Sequence, residues 1–404
     1  MKQVLNKISD DQATTAGIQE QKYQMCRRCI VDTTVPGHNF DEQGICSYCR
    51  LHEKLDEQYP LNERGEENFR RIIERIKRQG KNKRYDCVVG ISGGRDSIYT
   101  LYMTKKILGL RPIAVHFNDG FGNPVAGENM KKATQKLDVE LRTVTSDWRE
   151  SKDLRIAYLE ASTPDLGTPT DIGIATVLYG VAAKEGVHYI FIGQSFRTEG
   201  IAPLEWNYLD GQYLKSVHRL YGRVKLRPWN PTDGGFNLTF WPMFYYAMLK
   251  RIKTIPILYY VRYVRSEAEE IIKRELDWVY TGAHYYDDLY QSLMTYVMRT
   301  KFNIDRRKYN YSALIRSGQM SQKEAMERIK EVYIIEDPKV IDLCIKRLGL
   351  SREEFEGFMA LPLKTFRDYK TSYDLIKFLK WPIKICSKLH LFPSTAYYKY
   401  FECG

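Results

Sequence analysis

Two groups of residues in this 404-residue chain have the types and spacing to do chemistry. The first is Ser92-Gly93-Gly94-Arg95-Asp96-Ser97, set between the apolar run "YDCVVGI" and a helical pattern over 97–108. Adjacent glycines let the backbone approach an anion with no Cβ in the way, and they permit unusual dihedrals. The amides that follow face outward from a helix N-terminus, where the helix dipole favours negative charge. Ser92 and Ser97 can donate hydroxyl hydrogen bonds to phosphate oxygens, and Arg95 can add charge-assisted ones. Asp96 would repel phosphate unless a cation intervened, so a Mg²⁺ bridge is its expected role. A Walker A loop is excluded, because no Lys-Ser or Lys-Thr follows the glycines. Gly90, Gly93 and Gly94 are wrongly spaced for a dinucleotide fingerprint. The bland alternative is a serine-glycine turn capped by Asp96.

The second group is Cys26-x2-Cys29-x16-Cys46-x2-Cys49. Each C-x-x-C offers two thiolates from one tight turn, and two such turns complete a tetrahedron of sulfur. Four sulfurs leave no open coordination position, so the expected metal is structural Zn²⁺, with an iron–sulfur cluster as the alternative. Asp41 to Gly44 makes the turn before the second pair. The N-terminal "MKQVLNKISDDQATTAGIQEQ" has no apolar core of a signal peptide, so the expected compartment is the cytoplasm and the cysteines read as ligands rather than disulfides. Cys87, Cys344, Cys386 and Cys403 are scattered and read as small buried residues or a loose terminus.

These groups need elements to position them. Residues 1–24 are polar and aperiodic and read as a flexible tail, followed by a cysteine module over 25–60. In "EENFRRIIERIKRQG", Phe69, Ile72, Ile73 and Ile76 share one helical face and Gly80 ends it. From Tyr85 short apolar runs alternate with helical ones: strands at "YDCVVGI", 112–117, 139–144 and 188–193, with helices between, one of them over 124–137. Strands separated by helices imply an α/β fold, a doubly wound parallel sheet that takes ligands at the carboxyl ends of its strands, over residues 61–235. Beyond about 236 strand signals fade, and Ser321-x-x-Glu324 and Ser351-x-x-Glu354 read as capping boxes. Residues 236–404 are therefore expected to be mostly helical.

Composition bounds the partners. The chain is 43% hydrophobic, enough for a core, and its formal charge of +12 suggests an anionic partner. No stretch reaches the length of a spanning helix. The densest apolar segment, 240–264, is interrupted by Pro242 and Pro256 and by basic residues.

The loop "SGGRDS", after a strand and before a helix, resembles the PP-loop of the ATP pyrophosphatase superfamily. That resemblance implies cleavage of ATP between its α and β phosphates, with the helix N-terminus holding pyrophosphate. It places the strand end "AVHFNDG" beside the adenosine, so that His116, Asn118 and Asp119 become candidate base or ribose contacts. It places "IGQSFRTEG" over the phosphates, with Gly193 permitting close approach and Gln194, Arg197 and Glu199 at the rim. Asp96, Arg95, Arg197 and Glu199 are the candidate catalytic set. The cap of the helix opening "GTPTDIG", Thr170 or Asp171, needs no function.

Together, "CRRCIVDTTVPGHNFDEQGICSYC", the loop, "HFNDG" and "IGQSFRTEG" resemble the N-acetyl sugar amidotransferases of bacterial lipopolysaccharide O-antigen and flagellin glycan synthesis. So does "HYYDDLYQSLMTYVMRTKFNIDRRKYNYSALIRSGQMSQKEAMERI". The resemblance spans about 25–335. It implies that a sugar acetamido oxygen is adenylated with loss of pyrophosphate, and that ammonia then displaces AMP to leave an acetamidino group. The ammonia would come from a glutaminase subunit similar to that of histidine biosynthesis, often with a synthase-like companion. The acceptor would be a nucleotide-activated N-acetyl sugar. His284, Tyr285, Tyr286, Asp287 and Asp288 could line its pocket, as could Asp305, Arg306 and Arg307, whose guanidinium groups suit a diphosphate. Arg95 departs from the lysine of many superfamily members, and 340–404 match nothing recognisable.

Two rival readings stand beside this one. A tRNA-thiolating enzyme would also pair cysteine knuckles with such a loop, but it generally needs a catalytic cysteine in the nucleotide domain, where only Cys87 stands, so no nucleic-acid partner is expected. A membrane-associated role is the other: residues 364–404 carry eight basic residues against three acidic ones, with ten aromatics. Such a tail suits an anionic membrane face. Packing on the body or on the glutaminase is the favoured reading.

Overall fold

The computed structural model describes residues 23–227, 238–283, 285–388 and 394–401. Two helices precede the sheet. Ser47–Gln58 (α1) follows directly on the second cysteine pair, and Glu63–Gly80 (α2) starts where the Asn62 side chain accepts a hydrogen bond from the Gly65 amide. Phe69, Ile73 and Ile76 of α2 are buried, as the helical spacing predicts.

Five strands form one all-parallel sheet: β1 (Cys87–Gly90), β2 (Pro112–Asn118), β3 (Leu141–Thr145), β4 (Tyr189–Ile192) and β5 (Lys253–Pro256). Their spatial order is β3-β2-β1-β4-β5, so β1 lies between strands that are reached in opposite directions. Val89 of β1 stands opposite Ala114 on one side and Phe191 on the other. The pleat sends alternate residues to opposite faces, and each face has its own core. Cys87, Val89, Ala114 and Phe191 enter one core, whereas Val88, Ile113, Val115 and Ile190 enter the other. This is the doubly wound arrangement.

Helices cover both faces. Arg95–Tyr102 (α3) continues into a wider turn over Met103–Ile107 and packs on β1 and β4, with Pro124–Leu137 (α4) beside it. Trp148–Ala161 (α5), Thr168–Lys184 (α6) and Gly211–Tyr221 (α7) cover the other face, α6 lying against β1, β2 and β4. Phe240–Phe244 (α8) and the wider turn Tyr245–Leu249 lead into β5. The sheet therefore extends past the expected limit at residue 235. β5 gives little sequence signal because it is a four-residue edge strand ending in Pro256, and an edge tolerates proline.

After Arg265–Leu276 (α9), which packs on α3 and α4, the chain is helical. Tyr290–Phe302 (α10), Arg307–Arg316 (α11), Gln322–Arg328 (α12), Pro338–Arg347 (α13) and Arg352–Ala360 (α14) follow one another. Ser351 and Glu354 form the full reciprocal box, while Ser321 only accepts from the Glu324 amide. Tyr373–Phe378 (α15), Lys380–Lys388 (α16) and Ser394–Phe401 (α17) end the described chain. No described helix is long and apolar enough to cross a membrane. In α17, Tyr397 and Tyr400 are buried against the body, whereas α16 leaves Trp381 71% exposed.

Candidate active site

The serine-glycine loop leaves β1 at the strand end next to β4, where the sheet's winding reverses and a crevice must open. Gly93 has φ +86°, and a Cβ there would lie 2.1 Å from the Ala126 carbonyl oxygen, so only glycine fits. Its own carbonyl accepts hydrogen bonds from the Trp278 indole at 2.9 Å and the Asn129 side-chain amide at 3.3 Å. Gly94 caps α3. The Ser97 hydroxyl donates to the Gly94 carbonyl at 3.0 Å and accepts from the Ser92 amide at 3.1 Å, which locks the turn. The loop is thus fixed by its own hydrogen bonds, and Gly94 to Ser97 at the start of α3 line a cavity of about 370 Å³.

Three other strand ends or loops complete that cavity. His116, Asn118 and Asp119 come from the end of β2, and Gly193, Gln194 and Glu199 from the loop after β4. Gly193 is pressed on α3, where a Cβ would lie 2.8 Å from the Asp96 carbonyl carbon. Tyr285 to Asp288 form the third wall. Asn123, just beyond β2, stitches that wall in place. Its backbone N–H donates to the Asp287 carbonyl at 2.9 Å and its side-chain N–H to the Tyr286 carbonyl at 2.8 Å.

Asp96 and Glu199 are brought together. Burial first, and the Asp96 charge second, push the Glu199 carboxyl up to about 8. The Tyr263 hydroxyl donates to Asp96, and Arg95 donates to it at 2.9 Å. Two adjacent carboxyl groups beside the serine-glycine loop are a donor set that suits Mg²⁺. Asp287, whose carboxyl burial also raises, lies against Ser92 and Gly94 on the opposite side.

Several expected contacts resolve differently. The Arg95 guanidinium turns to Asp96, to the Tyr263 hydroxyl at 3.2 Å and towards Glu269 at 3.6 Å, so it tethers α3 to α9. Asp119 is not offered to a base or ribose. Its buried carboxylate accepts from Arg155, from Thr170 at 2.7 Å and from the Phe121 amide at 3.0 Å. Asn118 accepts from the Gly120 amide at 3.0 Å, the bond of a tight turn. His116 bonds the Ile91 carbonyl oxygen through Nδ1 at 3.1 Å, and burial lowers its pKa. Arg197 is no rim residue. Its guanidinium donates to Asp56 at 2.9 Å and to the carbonyls of Tyr259 and Tyr59 at 2.9 and 2.8 Å, clamping the β4 loop to α1.

A second cavity, of about 650 Å³, adjoins the first. Asp171, Glu199, Tyr285 and Asp288 line both. Asp171 sits in the first turn of α6, and burial pushes its carboxyl up to about 6 against the pull of Lys399 and Arg306. As a helix-cap type in a turn it gave no signal of its own. Arg306 lines the second cavity, donates to Gln291 at 2.7 Å and stacks over the Tyr285 ring at 4.9 Å. Lys399 of α17 reaches it from the far end of the chain and donates to the Asn207 carbonyl. Arg307 does not: it is buried on Asp305 at 2.7 Å and on the Glu331 carbonyl at 2.7 Å. His284 lies outside the described residues.

The four cysteines converge. Their sulfurs are buried and lie 3.5 to 3.9 Å apart in the pairs Cys29–Cys49, Cys46–Cys49, Cys29–Cys46 and Cys26–Cys49. A tetrahedron of 2.3 Å Zn–S bonds has edges of about 3.8 Å, so the set fits Zn²⁺. The Arg316 guanidinium of α11 donates to Cys49 at 3.3 Å and Cys29 at 3.4 Å, which offsets thiolate charge. Gln322 donates to the carbonyls of Cys26 and Cys29 at 3.2 and 3.0 Å.

A doubly wound parallel sheet with a serine-glycine loop at its switch point defines an α/β protein whose crevice lies at the carboxyl ends of its strands. Residues 279–381 match a protein-family model described as "LPS biosynthesis protein WbpG-like, C-terminal domain". The match begins beside Trp278 and takes in the Tyr285–Asp288 wall, Arg306 and Arg316. An uncharacterized protein of Methanocaldococcus jannaschii, MJ1599, is 27% identical over 113 residues, which is 28% of this chain. The chain spans about two fifths of that relative's length, 39%. Among solved structures, an NH3-dependent NAD synthetase from Campylobacter jejuni, in complex with nitrate ion, is 14% identical and covers 73% of this chain and 96% of its own. At a TM-score of 0.29 the two superpose too loosely for that likeness to bear on the fold.

Proposed function

We propose that this protein is an ATP-dependent amidotransferase that converts the acetamido group of a nucleotide-linked N-acetyl sugar to an acetamidino group for surface polysaccharide. The observation that carries the reading is the pair of adjoining cavities. One is built on the phosphate loop, the other is large enough for a sugar nucleotide, and Asp171, Glu199 and Asp288 stand between them. The match of 279–381 to a lipopolysaccharide-biosynthesis family supports the choice of acceptor.

In this reading the amides at the start of α3, with Ser92 and Ser97, hold the β and γ phosphates. Asp96 and Glu199 would hold Mg²⁺, which supplies charge neutralisation between the two carboxylates and the triphosphate. The acetamido oxygen of the acceptor attacks the α-phosphorus, and the bond to the bridging oxygen breaks to release pyrophosphate. Ammonia then adds to the imidate carbon, one of its protons passes to a nearby base, and AMP leaves with the former carbonyl oxygen. Asp171, held up to about 6 between the cavities, is placed to take that proton. Arg306 and Lys399 face the acceptor's diphosphate. A glutaminase partner supplies the ammonia, and the four-cysteine set holds structural zinc.

A thiolating enzyme is the second reading, and the cavity linings speak against it. Among the described residues no cysteine lines either cavity, and Cys87 is fully buried in β1, where burial pushes its thiol up. The test supplies ATP, Mg²⁺ and ammonium with candidate nucleotide N-acetyl sugars and follows pyrophosphate and product mass. Pyrophosphate and a basic product, lighter by the difference between an oxygen atom and an NH group, are expected, both lost in Asp96→Ala. Pyrophosphate released only with tRNA would sink the reading.

A further inference from the structure

Two segments far apart in sequence leave large apolar side chains in water beside the same cavity. The first is α8 with its following turn: Trp241 is 70% exposed and Leu249 69%, and Phe244, Tyr245 and Met248 are exposed with them. The second is α15–α16, where Phe378 is 84% exposed, Trp381 71% and Ile385 59%. Trp381 and Ile385 stand four apart on one face of α16, and Phe378 ends α15 just before it. Lys377, Lys380, Lys384 and Lys388 follow the same spacing one position earlier or three later, so a basic stripe flanks the apolar one. Lys250, Arg251 and Lys253 stand likewise at the end of the first segment. From 238 to 253 and from 375 to 388 the sequence contains seven basic residues and no acidic one. Phe240 and Met243 from the first segment and Ile376 from the second line the 650 Å³ cavity, so both segments adjoin it.

We infer that these two segments form one membrane-docking face that seats the mouth of the larger cavity on an anionic lipid surface. A soluble protein rarely leaves so many aromatic side chains exposed together, and their occupant must be apolar. The adjoining seven cations outnumber the one carboxylate of these segments, Asp374 of α15, and so select an occupant that is also anionic. An anionic bilayer meets both demands: tryptophan and phenylalanine enter the headgroup boundary while lysines reach the lipid phosphates. The short, broken helices lie along the surface and do not span it. This inference does not depend on the reaction proposed above.

Sedimentation of the full chain with phosphatidylcholine vesicles, with and without phosphatidylglycerol, tests it. Pelleting is expected with the anionic vesicles, falling as salt is raised and several-fold weaker with phosphatidylcholine alone. Trp381→Asp combined with Phe378→Asp, and separately Trp241→Asp, should each lower vesicle partition by about tenfold. Because these side chains are exposed, the melting temperature should stay unchanged, which separates lost docking from lost folding. If a protein partner covers this face instead, the chain stays in the supernatant at every lipid composition. That result, or pelleting unchanged in the aromatic variants, overturns the inference.

Discussion

At the scale of single residues, the contact between Asp96 and Glu199 has a pH signature. The Glu199 carboxyl is pushed from an ordinary 4.5 to about 8 in the folded protein, mainly by burial. Below the ordinary value both folded and unfolded chains carry the proton, and no penalty exists. Between the two values only the folded chain holds it, so stability falls as pH rises through that window, by at most about 1.4 kcal/mol per pH unit. Residual solvent contact reduces that slope. Without divalent cation, thermal unfolding midpoints should therefore drop from pH 5 to pH 8, and Glu199→Gln should flatten the drop. Mg²⁺ should flatten it too in the wild type; a wild-type profile indifferent to Mg²⁺ would remove the metal role from this pair. The loop was legible in sequence because its information is local: two glycines, two hydroxyls and a carboxylate within six positions. Its supports were not. The Trp278 indole reaches Gly93 across 185 residues, and nothing in either segment announces the other. Arg197 and Asp119 show the converse, polar residues in a suggestive loop whose charge is consumed by Asp56 and Arg155.

At the scale of elements, the cysteine module is docked on α11 and α12 rather than carried as a free knuckle. Lys308 joins Asp32 at 2.7 Å, and Arg316 bonds two of the sulfurs. A four-thiolate site with zinc carries net negative charge, and a buried guanidinium in its second layer should raise metal affinity. Arg316→Gln is expected to weaken zinc retention by about 10- to 100-fold in a chelator competition. Cys46→Ser should lose the metal altogether and, with it, much of the thermal stability. A zinc-free variant with an unchanged melting temperature would show that the module is not needed to hold α11 in place. The spacing of the cysteines made the module readable, since its closure needs only two tight turns. That the module docks on α11 was not legible, because α11 reads as an ordinary charged helix. β5 was hidden for a related reason: a strand paired on one side needs only four residues, and Pro256 ends it without cost.

At the scale of the whole molecule, alternation of strands and helices made the doubly wound sheet readable, and the order β3-β2-β1-β4-β5 then places the crevice at the end of β1. What alternation does not convey is how the chain after the sheet returns to it. Tyr280, Thr281, Ala283 and Tyr285 to Asp288 close one side of the smaller cavity, and α17 closes the far wall of the larger one. Tyr400 donates to the Leu209 carbonyl at 3.0 Å and lies 5.8 Å from the Tyr208 ring, which fixes α17 and so fixes Lys399. The final helix thus supplies a cation to the larger cavity, and none of its described side chains lines the smaller one. That separation is testable. Lys399→Ala should raise the acceptor's KM by about tenfold or more, the loss of a charge-assisted contact, while leaving the affinity for ATP unchanged. Lys399→Arg should restore part of the loss, because charge rather than shape is what the position offers. If Lys399→Ala weakens ATP and acceptor alike, the two cavities share one binding event and α17 acts on the fold instead of the acceptor.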